Sequence, residues 1–464
     1  PAHVFPEVAP TPLTAFAVSH LGAAAGIMVT ASHNPPAYNG YKVYWANGAQ
    51  IIPPHDTGIS RAIDAVGALP EVPMVSREDA AARDLYRPIV PAVGEAYVKA
   101  VLDLRPHPEI TPDFTCVYTP LHGVGGAWVM RCFEAAGYPA PIPVPEQFRP
   151  DGEFPTVAFP NPEEPGAMDL GLELARREKA DLVLANDPDA DRLAVILREA
   201  DGAYRPLTGN EIGTLFAHYL LNQDRRGGDR LVCTTIVSSG LLRVLAEDLG
   251  VRYAETLTGF KWIANQALDQ KARDGRRFLF GFEEALGYTV GELVRDKDGV
   301  SGALVFAELV AWCRGRGMSA LEYLETIFRR YGLYSSAQKA LTLPGSEGSV
   351  RIRAIMDRLR ATPPTAIGGC PVVSVADVLD GTETETGTGT TTRLDLPSSN
   401  VLRYRLEDGT RILARPSGTE PKIKFYIEVV EPIAEDEDFE TARERAAMRR
   451  DGLLDNFVGE LQAG

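Results

Sequence analysis

Short apolar runs alternate with amphipathic stretches along the chain, and this rhythm sets the expected fold class. Residues 26–30, 115–118, 182–185, 231–235 and 277–281 read as buried strands. Residues 170–179 and 241–248 carry the apolar spacing of helices between them. A strand–helix–strand rhythm predicts α/β layers with largely parallel sheets, whose ligands sit beyond the carboxyl ends of the strands. After residue 330 the pattern changes: a helix over 349–359, then strands over 372–375, 400–406, 410–414 and 423–430, which predicts a small α+β domain with an antiparallel sheet. The Gly/Thr-rich stretch 381–392 is low in complexity and is expected to be a mobile loop without function.

A chain of 464 residues is too long for one hydrophobic core. Breaks fall at the Pro-rich stretch before Val93, at the turn-rich 201–209 and around 330–336. Four units follow, at 1–92, 93–206, 207–330 and 331–464.

Composition narrows the function classes. Lys and Arg total 47 against 63 for Asp and Glu, a formal charge of −16, which disfavours nucleic acid and anionic membrane surfaces as partners. An anionic ligand must therefore be held by locally clustered donors. Apolar stretches are broken by charge before they reach bilayer length, as Glu308 breaks 304–312. The five cysteines show no C-x-x-C pair or metal-ligand spacing and read as core residues of a reduced protein. The start of the sequence lacks the pattern of a signal peptide, so the expected location is the cytoplasm.

Four short segments carry chemistry. In Asp187-Pro188-Asp189-Ala190-Asp191-Arg192, carboxylates recur at every second position after a predicted strand, so three of them can converge on one hard cation. Oxygen-only ligation favours Mg²⁺ or Ca²⁺ over zinc, and an incomplete cage with room for a phosphate oxygen favours Mg²⁺. An EF-hand is excluded, because its sixth position needs Gly and meets Arg192, and its twelfth needs Glu and meets Arg198. Arg192 offers a fixed charge to a phosphoryl group in transit, or else balances the aspartates.

Ser32, in Thr30-Ala31-Ser32-His33-Asn34-Pro35, sits on a constrained loop and becomes a useful nucleophile only beside a metal or base. Lys42 could return from the same loop as a proton-transfer group, provided that desolvation or neighbouring cations lower its pKa. Glu283, in Gly281-Phe282-Glu283-Glu284, is placed after a strand where a carboxylate can accept bonds from vicinal sugar hydroxyls. Arg415-Pro416-Ser417-Gly418-Thr419-Glu420-Pro421 gathers anion donors at a turn between strands, suited to a phosphate monoester. Taken singly, each has an ordinary alternative: a solvated acidic turn, a capped polar turn, an exposed lysine, a helix N-terminus, a polar hairpin.

Together, and in this order, the four segments resemble the α-D-phosphohexomutase family of phosphoglucomutases and phosphomannomutases, over essentially the whole chain. The resemblance implies three similar α/β domains and a smaller C-terminal domain around a central cleft. It makes Ser32 a phosphoserine with His33 beside it among the catalytic residues, and Ser32, Asp187, Asp189 and Asp191 the Mg²⁺ ligands. Arg192 then assists transfer and Lys42 is the acid/base. Glu283 and Lys297, the latter in Asp296-Lys297-Asp298-Gly299, bind the sugar, while Arg415, Ser417, Gly418 and Thr419 bind its phosphate.

The implied partner is a small sugar phosphate, with a sugar 1,6-bisphosphate as activator and intermediate, and the protein a monomer or homodimer. The family's opening strand–helix unit, with an Arg-bearing loop, is placed before Pro1 by the same resemblance. Ala285 and Phe260 stand where many relatives have Ser and His, as in the branch that includes phosphopentomutases. Rival readings are a phosphatase working through phosphoserine and a silent sugar-phosphate binder.

Overall fold

The computed structural model describes residues 1–67, 72–224, 226–343, 345–417 and 421–463. Its α/β layers are followed by an α+β region, and Cα packing divides the chain into two compact units. The first comprises Pro1–Cys233, Ala246–Ala254 and Gly259–Leu321; the second comprises Thr234–Leu245, Glu255–Thr258 and Glu322–Gly464. Among the described residues no helix is long and apolar enough to cross a membrane. Glu308, the charge that breaks the most apolar helix, is fully buried and accepts a hydrogen bond from the Tyr219 hydroxyl at 2.7 Å.

The N-terminal part of the first unit has two small sheets. Ala2–Val4 pairs in parallel with Tyr86–Pro88, and Ala25–Val29 pairs antiparallel with Tyr41–Trp45. The helix Thr11–His20 starts with Pro12 in its first turn, where the missing N–H costs nothing, and buries Thr11 to Val18. The expectation of a buried strand over 26–30 is corrected here. Ile27 and Val29 are 64% and 73% exposed, because no third strand or covering layer lies on that face among the described residues.

Next comes a five-stranded mixed sheet in the order Ile142–Pro143, Cys116–Thr119, Leu182–Ala185, Ala194–Arg198, Tyr204–Pro206. The first two pairings are parallel and the last two antiparallel. Buried on both faces, Leu182–Ala185 is apolar at every position, which is why it reads as a continuous run. A four-stranded sheet follows in the order Arg252–Thr256, Arg230–Thr235, Arg277–Glu283, Gly287–Val290. Its third strand runs through Glu283, so this carboxylate is a strand residue rather than one placed beyond the strand's end.

In the second unit an antiparallel sheet runs Leu333–Thr342, Lys422–Glu431, Arg411–Pro416, Leu402–Leu406, Cys370–Asp377, Thr382–Glu385, Thr391–Arg393. The long helix Phe439–Ala463, absent from the sequence reading, packs Phe457 edge-on against Phe425 and Tyr404. The expected loop at 381–392 is instead a hairpin. Its threonines are β-branched and suit extended backbone, and Glu383 accepts a hydrogen bond from Ser374 at 2.8 Å. Cys370 also departs from expectation: it is half-buried, with its thiol 3.1 Å from Asp408, whereas the other four cysteines are in the core.

The helix Gly209–Gln223 begins with a capping box in which Thr208 and Glu211 satisfy each other's backbone N–H groups. A Cβ on Gly209 would lie 1.8 Å from the Glu284 carbonyl oxygen, so the turn after Glu283 can rest only on glycine. Gly209→Ala is expected to cost about 2 kcal/mol or more by overpacking. Denaturant unfolding that matches the parent would show that the 284–286 turn is free to move.

Candidate active site

Ser32 lies just beyond Ala25–Val29 with φ at 53°, a left-handed conformation uncommon for a residue with a side chain. The turn is held by Ser32 N–H donating to Thr30 Oγ1 at 2.8 Å and Asn34 N–H donating to the Ala31 carbonyl at 3.1 Å. This geometry sends Ser32 Oγ to 3.4 Å from Asp187 Oδ2 and 3.2 Å from His33 Nδ1. Burial, with Arg192 adding to it, pulls the His33 pKa down to about 4, so the ring is neutral at pH 7.

The aspartate loop leaves the sheet at Ala185. Ala190, at φ 56°, makes the reversal that returns the loop to Arg192, and its N–H donates to the Asp187 carbonyl at 2.9 Å. The ligand oxygens of Asp187, Asp189 and Asp191 lie within 4.8 Å of one another, and all three residues are buried. Asp189 Oδ1 and Asp191 Oδ1 have no hydrogen-bond partner. Buried carboxylate oxygens are costly without a partner, and an all-oxygen set of this kind fits a hard divalent cation such as Mg²⁺.

Cations surround the loop. Lys42 Nζ is 2.7 Å from Asp189 Oδ2 and 2.5 Å from Asp191 Oδ2. Lys297 Nζ is 3.1 Å from Asp191 Oδ2, and Arg192 Nε is 3.6 Å from Asp187 Oδ2. Burial would raise the Asp191 pKa, but Lys297, Lys42 and Arg192 outweigh it and hold this carboxyl well below the usual range. Asp187 is pushed upward by burial and by the charges of Asp189 and Asp191.

Lys42 does not meet the condition set for it from sequence. Burial acts to lower its pKa, yet Asp189 and Asp191 prevail and hold the ammonium above its ordinary value.

Glu283 is buried and accepts the Gly259 N–H at 2.6 Å through Oε1; burial raises its pKa and Lys297 opposes the rise. The strand paired with it, Gly287–Val290, and the turn before that strand are tied to the aspartate loop by a backbone bridge between Arg192 and Gly287 and by Leu193 N–H donating to the Leu286 carbonyl at 3.0 Å. The first unit therefore gathers Ser32, His33, Lys42, the three aspartates, Arg192, Glu283 and Lys297. Arg415 and Ser417 belong to the second unit, at the end of Arg411–Pro416, where Ser417 N–H donates to the Lys422 carbonyl at 2.7 Å. Gly418 and Thr419 lie outside the described residues.

Sequence reading missed Thr11, whose hydroxyl donates to Asp189 Oδ2 at 2.7 Å and whose N–H donates to the Asp189 carbonyl at 2.9 Å. A Thr-Pro pair at a helix start was its only local signal. Asn186 was missed as well: it accepts from the Tyr118 hydroxyl at 2.8 Å and donates to the Arg192 carbonyl at 2.5 Å, closing the base of the loop.

Four family models match in order: phosphoglucomutase/phosphomannomutase α/β/α domain I over residues 2–69, domain II over 95–202, domain III over 208–331, and the C-terminal domain over 372–445. A Haemophilus influenzae protein named "Probable phosphomannomutase" is 40% identical over 431 residues, covering 92% of this chain and 82% of that one. Human phosphopentomutase is 39% identical over 448 residues, covering 93% and 72%. A Thermus thermophilus structure described as a phosphomannomutase superposes with a TM-score of 0.67 at 25% identity, covering 100% of this chain and 84% of that chain. With all four domains matched and these relatives aligned over nine-tenths of its length, the chain belongs to the α-D-phosphohexomutase family of sugar-phosphate mutases.

Proposed function

We propose that the protein interconverts the 1- and 6-phosphates of glucose, mannose or both, through a phosphoserine at Ser32 and a sugar 1,6-bisphosphate intermediate. The observation that carries this reading is the meeting of Ser32 Oγ with Asp187 at 3.4 Å, beside aspartate oxygens that lack partners. A sugar-phosphate binder has no need of a hydroxyl aligned on such a cage.

Asp187, Asp189, Asp191 and Ser32 would hold Mg²⁺, which supplies neutralisation of phosphoryl charge and polarisation of phosphorus. In the first half-reaction the bond from phosphorus to Ser32 Oγ breaks as one forms to a hydroxyl of the bound sugar monophosphate. Lys42, protonated on the same aspartates, gives its proton to the leaving Oγ and is restored by the proton from the sugar hydroxyl. Arg192, with Nε 3.6 Å from Asp187 Oδ2, would offer a fixed charge to the oxygens of the transferring group.

Glu283 and Lys297 take the sugar hydroxyls, and Arg415, Ser417, Gly418 and Thr419 take the phosphate that is not reacting. When the bisphosphate turns over, the second phosphate faces Ser32 and the steps run in reverse. The product is the positional isomer and the phosphoserine is restored. The cytoplasm suits such a substrate.

A pentose phosphate is the second reading. It is favoured by the similarity to human phosphopentomutase and by Phe260, which is buried with Lys297 Nζ 5.7 Å from its ring centre. Turnover of glucose 1-phosphate, mannose 1-phosphate and ribose 1-phosphate, each with its bisphosphate, separates the two.

Ser32→Ala is expected to abolish isomerisation while calorimetry still detects sugar-phosphate binding; turnover near the parent rate would remove Ser32 from the mechanism. Release of inorganic phosphate in place of isomer would make the protein a phosphatase. Asp189→Asn is expected to weaken Mg²⁺ binding by about tenfold or more, since a hard cation is held by the number of charged ligands. An unaltered Mg²⁺ titration would reject the cage.

A further inference from the structure

The aspartate site draws its two lysines from distant stretches of chain, and one carboxylate outside the site touches both of those stretches. Asp296, 1% exposed, accepts from the Tyr44 hydroxyl at 2.6 Å and from Gln50 Nε2 at 2.7 Å, both through Oδ2. Through Oδ1 it accepts the Lys297 N–H at 2.8 Å and lies 3.5 Å from Lys297 Nζ. Tyr44 is fully buried and forms a backbone bridge with Gln50 across the turn that follows Tyr41–Trp45.

Side chains two apart on a strand point to the same side. Fixing the Tyr44 hydroxyl therefore also fixes the direction in which Lys42 leaves the strand. The same turn is held at two further points: Arg295 donates to the Asn47 carbonyl, and Asn265 Nδ2 donates to the Gln50 carbonyl at 3.2 Å.

We propose that Asp296 is a positioning residue for phosphoryl transfer: it clasps the 41–50 turn so that Lys42 and Lys297 converge on Asp191. This inference rests on the mutase reading of the site. Asp296 touches neither Ser32 nor the aspartates, and it acts through the two lysines. A clasp that served stability alone would spare the chemical step, so kinetics distinguish the two roles.

The test uses Tyr44→Phe, Asp296→Asn and the double variant of the full chain. Three measurements are made: kcat and KM with sugar monophosphate and bisphosphate, thermal unfolding, and amide hydrogen exchange. Each single substitution is expected to lower kcat about tenfold, the size of one hydrogen bond to a charged group, with KM little changed. The double variant is expected to be no slower than the slower single, because both act on the same Tyr44–Asp296 contact. Exchange should quicken over 41–51 while Leu182–Ala185 stays protected.

Unchanged kcat, or losses that multiply in the double variant, would overturn the proposal. If the parent protein isomerises no sugar phosphate, the mutase reading fails on its own. The exchange measurement then judges the clasp, and unaltered exchange over 41–51 in Asp296→Asn rejects it.

Discussion

Asp191 is the constraint on which the rest of the site depends. It is fully buried, and its charge is opposed by burial and favoured by Lys42 and Lys297, whose ammonium groups reach its Oδ2 at 2.5 and 3.1 Å, and by Arg192 behind Oδ1. Removing one partner from a buried charge costs far more than a surface ion pair contributes. The two lysines come from segments more than two hundred residues apart, so this electrostatic requirement ties the N-terminal hairpin to the sheet that carries Glu283. Fold and chemistry are joined at one carboxylate.

The same arrangement biases the protonation of its neighbours. His33, made neutral by burial, cannot compete for the aspartates as a cation, and Lys42 is held as an acid by the carboxylates it touches. Under the proposed mechanism, a lysine so held is the proton donor to the departing serine oxygen.

Much of this was legible in the sequence, for physical reasons that differ by element. The strand Leu182–Ala185 and the helix Leu241–Asp248 have the bounds expected, since each is set by its own local pattern. The alternating aspartates announced a cage because their spacing is local too. Exposure was not legible: Ile27 and Val29 have the composition of a core strand, but burial depends on what lies across the sheet. The Gly/Thr-rich stretch 381–392 misled because Gly387 and Gly389 mark only the turn of a hairpin, and Gly381 only its start, while the threonines extend its strands. Thr11 and Tyr44 gave little warning, since their partners Asp189 and Asp296 are 178 and 252 residues away.

The stretch Asp296-Lys297-Asp298-Gly299 shows why periodicity is a poor guide at the site itself. Consecutive side chains in a strand or helix follow a fixed geometry, whereas the three residues of irregular chain at 296–298 each face a different neighbour. Asp296 faces Tyr44, Lys297 faces Asp191, and Asp298 accepts from the Tyr97 hydroxyl at 2.9 Å while capping the helix Gly299–Arg314 through Val300 N–H and Ser301 N–H. At Gly299 a Cβ would lie 2.2 Å from the Arg192 carbonyl oxygen, so the backbone itself abuts the aspartate loop. One turn thus contacts three separate parts of the first unit, and no hydrophobic period could encode it. Its signal is chemical: two acids flanking a lysine before a glycine, at the mouth of an apolar helix that needs a cap.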